Sequence, residues 1–142
     1  KLQSVVLLIS AGAFLAGIWV LCIGAWSTGE KFTEWTEYPF HVVALSYAHA
    51  VVIAPLFEEK IVRDLILPGV SEKIGSIFGS VLVSIFFALA HTDSMLWAFF
   101  FPISMCWLAI KWRLNTYQRA IVHGMTNLII MLWIFTAGFG VF

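Results

Sequence analysis

The chain has 142 residues, of which 61% are hydrophobic and 11% charged, with a formal net charge of zero. A mean hydropathy of +0.96 and a pI near 7.1 exclude an ordinary water-soluble domain and the basic footprint of a nucleic-acid binder. What remains is an integral membrane protein, whose expected partners are the lipid bilayer and other membrane segments or membrane-protein subunits.

Apolar runs separated by polar punctuation predict helices near 2–26, 39–67, 74–91, 95–112 and 117–140. A span needs roughly 20 apolar residues, so these runs use up the chain and leave no soluble domain. The expected fold is therefore all-α: a polytopic transmembrane bundle of about five spanning helices, a single domain over 1–142. The first run exceeds the roughly 7–15-residue apolar core of a secretory signal and reads as a span. Within the runs, Ala13 with Gly17 and Gly75 with Gly79 have the four-residue spacing that lets helices approach closely. Cys22 and Cys106 lie inside apolar runs and read as small core residues rather than a disulfide. Between the first two runs, the stretch 27–37 is rich in loop formers and acids.

On the second run, His41 and His49 stand about 80° apart around a helix and read as structural or interfacial. Pro55 should release a backbone carbonyl and kink the helix that carries the glutamates. Pro68-Gly69 is predicted to end it, because proline removes a donor and glycine relieves the backbone. Pro102 carries no functional reading. Trp26, Trp35 and Trp112 fall near predicted span ends, at headgroup level.

Basic residues near span ends collect on the cytoplasmic side. With the N-terminus inside, Lys1, Lys60, Arg63, Lys73, Lys111, Arg113 and Arg119 face the cytoplasmic half and Lys31 stands opposite, beside Glu30, Glu34, Glu37 and Asp93. The expected localisation is a multi-pass membrane protein with cytoplasmic N-terminus and basic loops.

The chemistry concentrates in Pro55-Leu-Phe-Glu-Glu-Lys-Ile-Val-Arg-Asp64. Charge at bilayer depth is costly and usually functional. On a helix, Glu59 and Arg63 are four apart and can pair, whereas Glu58 is rotated by about 100° to another face. One carboxylate is thus held by the arginine and the other is left to work as a proton acceptor for water. Two further polar pairs join it: His91 closes the third run after Phe87, and His123 with Asn127 share a helix face at i,i+4 spacing. With a turn at Pro68-Gly69, Glu59 and His123 lie at about the same depth, roughly 13 Å in. An uninterrupted helix from Ile74 would carry His91 roughly 25 Å from that surface. Convergence then requires the stretch 71–79 to lie partly along the interface.

Glu58-Glu59-x-x-x-Arg63, Phe87-x-x-x-His91 and His123-x-x-x-Asn127, in that order, resemble the three motifs of the CAAX protease and bacteriocin-processing family, also called CPBP or Abi. The phrases APLFEE and FFALAH also look like the family's wording, and the resemblance covers a core of about 40–140. The chain departs from it at Asp64, where the family often has glycine. What the resemblance implies is a glutamate-dependent intramembrane endopeptidase that cuts a membrane-proximal peptide bond. By that analogy Glu58 and His91 hold and activate the water, His123 with Asn127 stabilise the oxyanion or substrate carbonyl, and Glu59 with Arg63 fix the site. No cofactor is expected; the alternative is zinc held by Glu58, His91 and His123, although no His-Glu-x-x-His spacing is present.

Two other readings stay open. One is a non-proteolytic membrane scaffold, immunity factor or assembly subunit of the same fold. The other is a haem- or chlorophyll-binding membrane subunit using some of His41, His49, His91 and His123, which leaves the glutamates and Arg63 without a task.

Overall fold

The computed structural model describes residues 2–24, 38–91 and 95–137, and it is all-α, with no strand among them. The expectations placed on Lys1, Trp26, the stretch 27–37 and Asp93 lie outside the described residues. Five helices follow the five apolar runs: α1 (Leu2–Trp19), α2 (Phe40–Ile74), α3 (Ser76–Leu89), α4 (Met95–Ile110) and α5 (Thr116–Ala137). By length and composition, the segments Gln3–Cys22 and Phe40–Ile74 can each cross a membrane, whereas α3 and α4 are apolar but shorter.

Among the described residues, three stretches are wound more widely than an α-helix, with i→i+5 hydrogen bonds: Val20–Gly24 after α1, and His49–Ile53 and Glu59–Ile66 within α2. Such insertions accommodate residues that an α-helix cannot place without strain, and they cluster at functional sites. Pro55 follows the first of the two in α2, and Glu58-Glu59 opens the second.

The predicted break at Pro68-Gly69 does not occur. The widened stretch passes the Leu67 N–H back to the Val62 carbonyl, and Pro68 becomes the second residue of a fresh α-helical segment, where its missing donor costs little. The chain turns instead at Gly75, whose φ of +83° suits only glycine comfortably. A Cβ on Gly79 would stand 2.7 Å from Ser71 Oγ and 3.2 Å from its Cα, so Gly79 is what lets α3 fold back against Leu67–Ile74. Gly75 therefore serves the backbone turn and Gly79 the close approach.

The chain divides into two compact units. In the unit Leu56–Ala120, the remainder of α2 doubles back into α3, which packs on α4, around buried Leu67, Val83 and Cys106 with Val62 against them. Helix α5 starts in this unit with a reciprocal cap: Gln118 N–H donates to Asn115 Oδ1 at 3.0 Å, and Asn115 N–H to Gln118 Oε1 at 2.9 Å.

In the other unit, Lys1–Pro55 with Ile121–Phe142, α5 packs against α1 and the first part of α2. A Cβ on Gly12 would meet the Val122 carbonyl at 2.6 Å, whereas one on Gly17 would meet nothing within 4 Å. The close approach in α1 is therefore made at Gly12, not by the Ala13 and Gly17 pair. Thr126 Oγ1 bridges the same seam, lying 3.1 Å from the Gly12 carbonyl and 2.9 Å from that of Val122. Cys106 is buried as expected, but Cys22, in the widened stretch Val20–Gly24, is exposed.

Candidate active site

The turn at Gly75 removes the difficulty over His91. Glu59 and His91 each lie sixteen residues from Gly75, and Arg63 and Phe87 each lie twelve. A hairpin closed at that glycine brings the two motifs level without an interfacial segment. The side chains show the result: the Arg63 guanidinium sits over the Phe87 ring, 5.5 Å from its centroid, and the His91 ring stacks on Phe87 at 4.3 Å and 10°. Phe87 is thus a spacer that carries the first motif onto the second, which explains an aromatic residue four places before the histidine.

His91 is exposed and its Nδ1 lies 2.9 Å from the Phe87 carbonyl. A carbonyl can only accept, so Nδ1 donates to it, and this bond orients the ring with Nε2 pointing away from the Phe87 carbonyl.

Glu59 is fully buried and is held from two sides. Arg63 Nη1 stands 3.3 Å from its Oε1, the i,i+4 pair expected from the spacing, and Arg119 Nε donates to its Oε2 at 3.1 Å. Arg63 also reaches the Pro102 carbonyl at 3.5 Å. Arg119 further donates through Nη2 to Asp64 Oδ1 and through Nη1 to the Leu114 carbonyl. Asp64 accepts in addition from Thr116 Oγ1 and, at 3.2 Å, from Lys60 Nζ. Asp64, the residue at which the chain departs from the family wording, thus has specific partners at the start of α5. Glu58 is half-buried, one residue ahead of this network.

Arg63 and Arg119 are each 3% exposed, and both turn inward to the buried carboxylate. Arg119 is the residue the sequence reading passed over. Its signal was there: Arg119, His123 and Asn127 recur at four-residue spacing along one helix.

His123 and Asn127 lie in the other unit, His123 buried at 3% exposure. The widened turn His49–Ile53 passes the Ala54 N–H to the His49 carbonyl, which strips the Ala50 carbonyl of its helical donor. Asn127 Nδ2 replaces it, donating to Ala50 O at 2.8 Å. Pro55 likewise has no N–H to give the Val51 carbonyl, and Gly124 lets α5 approach that oxygen: a Cβ there would stand 2.2 Å from it. The residues between His123 and Asn127 are therefore shaped by the backbone of α2. The histidines His41 and His49 are exposed on α2.

A family model described as type II CAAX prenyl endopeptidase Rce1-like matches residues 40–140. The chain belongs to this family. The match takes in Glu58, Glu59, Arg63, His91, His123 and Asn127, and it agrees with the family that the motifs resemble. The family is one of membrane-embedded proteases, in keeping with the two candidate spans. No curated protein and no solved structure matches the chain.

Among the described residues no three His, Cys, Asp or Glu side chains are grouped as ligands for a metal ion.

Proposed function

We propose that the chain is an intramembrane endopeptidase that hydrolyses a membrane-proximal peptide bond with water activated by Glu58 and His91. The observation that carries this reading is the buried Glu59–Arg63 pair coupled through Phe87 to an oriented His91, in a chain whose family is proteolytic. Water is held by the Nε2 lone pair of His91 and gives a proton to the Glu58 carboxylate as its oxygen attacks the scissile carbonyl. His123 donates to the developing oxyanion. Asn127 spends one amide hydrogen on Ala50 and its second serves the carbonyl or the setting of His123. The proton on Glu58 passes to the leaving amine, giving a new carboxyl terminus and a new amino terminus. Glu59 and Arg63 hold the helix in place and take no proton.

The substrate is a membrane-associated protein or peptide cut close to the bilayer, with a prenylated CAAX tail as the first probe because that is the chemistry in the family's description. The chain crosses the membrane several times with its N-terminus and basic loops cytoplasmic, supported by exposed Lys60, Lys73, Lys111 and Arg113. A topology reporter fused after α5 should read outside for five spans, and an inside signal rejects that arrangement.

The test of the reaction is to incubate purified protein in mixed micelles with an internally quenched, farnesylated CAAX peptide, and to co-express it with membrane-anchored candidate substrates. Cleavage that persists in the presence of EDTA and phenanthroline is the expected outcome. Loss of cleavage to chelator, restored by zinc, would replace the glutamate mechanism with a metal one. If nothing in the set is cut, a scaffold or assembly role takes over.

A further inference from the structure

We propose that Arg119 is a positioning residue for hydrolysis, clamping the widened turn of α2 so that Glu58 faces the water; the inference rests on the protease reading above. In an ordinary α-helix, residues five apart point about 140° away from each other. Glu59 and Asp64 are five apart, yet both meet the same guanidinium: Arg119 Nε donates to Glu59 Oε2 at 3.1 Å and Nη2 to Asp64 Oδ1. They share a face because Glu59–Ile66 is wound with i→i+5 bonds, whose wider turn brings residues five apart toward one side. The wide turn makes the clamp possible, and the clamp in turn selects the wide turn over α winding.

Arg63 cannot do this work. It lies on the same helix as Glu59 and turns to the Pro102 carbonyl and the Phe87 ring, so it does not bridge Glu59 to Asp64. Arg119 reaches across from the first turns of α5, and its third nitrogen is tied to the Leu114 carbonyl just before that helix. Thr116, the first residue of α5, also donates to Asp64. Every guanidinium nitrogen therefore has an acceptor, and the arginine is 3% exposed. Charge balances as well. Glu59 facing Arg63 and Arg119 alone would leave one buried positive charge in excess, and Asp64 offsets it.

Glu58 is the residue immediately before the clamped turn. Letting Glu59–Ile66 rewind into an α-helix rotates Glu59 and shifts Glu58 with it, away from the water that His91 orients. The effect belongs to the chemical step, not to substrate docking. Arg119→Met keeps the apolar stem and removes the clamp. It should lower kcat for the farnesylated CAAX peptide about 10- to 100-fold, per folded molecule, with KM held within about twofold. Arg119→Lys can reach Glu59 or Asp64 but not bridge both, and should fall between the two.

Kinetics of wild type, Arg119→Met, Arg119→Lys and Glu58→Gln, each normalised to the folded fraction from size-exclusion chromatography, decide the matter. A kcat loss at steady KM in Arg119→Met with partial rescue in Arg119→Lys supports the clamp. Wild-type kcat in Arg119→Met overturns it, and leaves the protease reading standing if Glu58→Gln is inactive. Where Arg119→Met does not fold, Arg119→Lys alone gives the answer: an intermediate kcat supports the clamp and a wild-type value overturns it. Full activity in Glu58→Gln removes the protease reading and the clamp together.

Discussion

Glu59→Ala should be the most destabilising single substitution in the charged network, lowering stability by about 3–5 kcal/mol, the usual result of removing one partner from a buried ion pair. Glu59 is fully buried between two guanidiniums, so its loss leaves two positive charges behind. They are not equally affected. Arg119 retains Asp64 and the Leu114 carbonyl, whereas Arg63 retains a 3.5 Å contact to the Pro102 carbonyl and the face of Phe87, and its Nε has no hydrogen-bond partner. Arg63 is the stranded charge. The thermal midpoint in detergent should fall by on the order of 10 °C, and adding Arg63→Met to Glu59→Ala should recover part of the loss. Asp64→Ala should cost much less, about 1 kcal/mol, because Asp64 sits at the exposed edge with 27% of its side chain accessible. A Glu59→Ala protein that melts with the wild type would show that the network contributes nothing to the fold.

The largest effects on the reaction should come from Glu58→Gln and His91→Ala, each lowering kcat by about 10²- to 10⁴-fold, as expected for the loss of a general base or of the group that holds its water. Neither should disturb folding much. His91 is exposed and its hydrogen bond is to a carbonyl within its own chain segment, while Glu58 is only half-buried. Phe87→Leu is the informative intermediate. It keeps the Phe87 carbonyl as acceptor for His91 Nδ1 but removes the ring that Arg63 and His91 share, so a decrease of about tenfold is expected, matching a cation–π contact and a stack worth about 1 kcal/mol together or slightly more. His91→Ala turning over at the wild-type rate would separate the histidine from the chemistry.

Most of the helix pattern was legible because long apolar runs in a membrane protein leave little choice of secondary structure. The Glu59–Arg63 pair was legible for a similar reason: two opposite charges four apart in an apolar helix have few other ways to be satisfied. The turn was not. Pro68-Gly69 carries the strongest local breaker signal in its region, yet a widened stretch just before it changes which carbonyl each N–H meets, and a proline after such a stretch costs little. Apolar periodicity does not report i→i+5 winding. The same winding hid the partnership of Glu59 with Asp64, since residues five apart do not share a face on the helix that sequence reasoning assumes.

Arg119 was obscured by a rule that works well on average. Basic residues near span ends mark the cytoplasmic surface, and nothing local distinguishes a headgroup cation from one folded inward to a buried carboxylate. The distinction comes from long-range contact: Arg119 is sixty residues from Glu59 in the chain. Gly12 and Gly17 illustrate the limit on the packing side. Both lie in α1, but only at Gly12 does another backbone come close enough to exclude a side chain, and that depends on where α5 passes.

Whether Glu58 performs hydrolysis is decided by comparing wild type with Glu58→Gln on the farnesylated CAAX peptide and on the co-expressed membrane substrates, with thermal midpoints measured on the same preparations. The wild type should cleave, and Glu58→Gln should lose at least about 10²-fold at an unchanged midpoint. Equal cleavage by the two proteins would show that Glu58 does not do the chemistry.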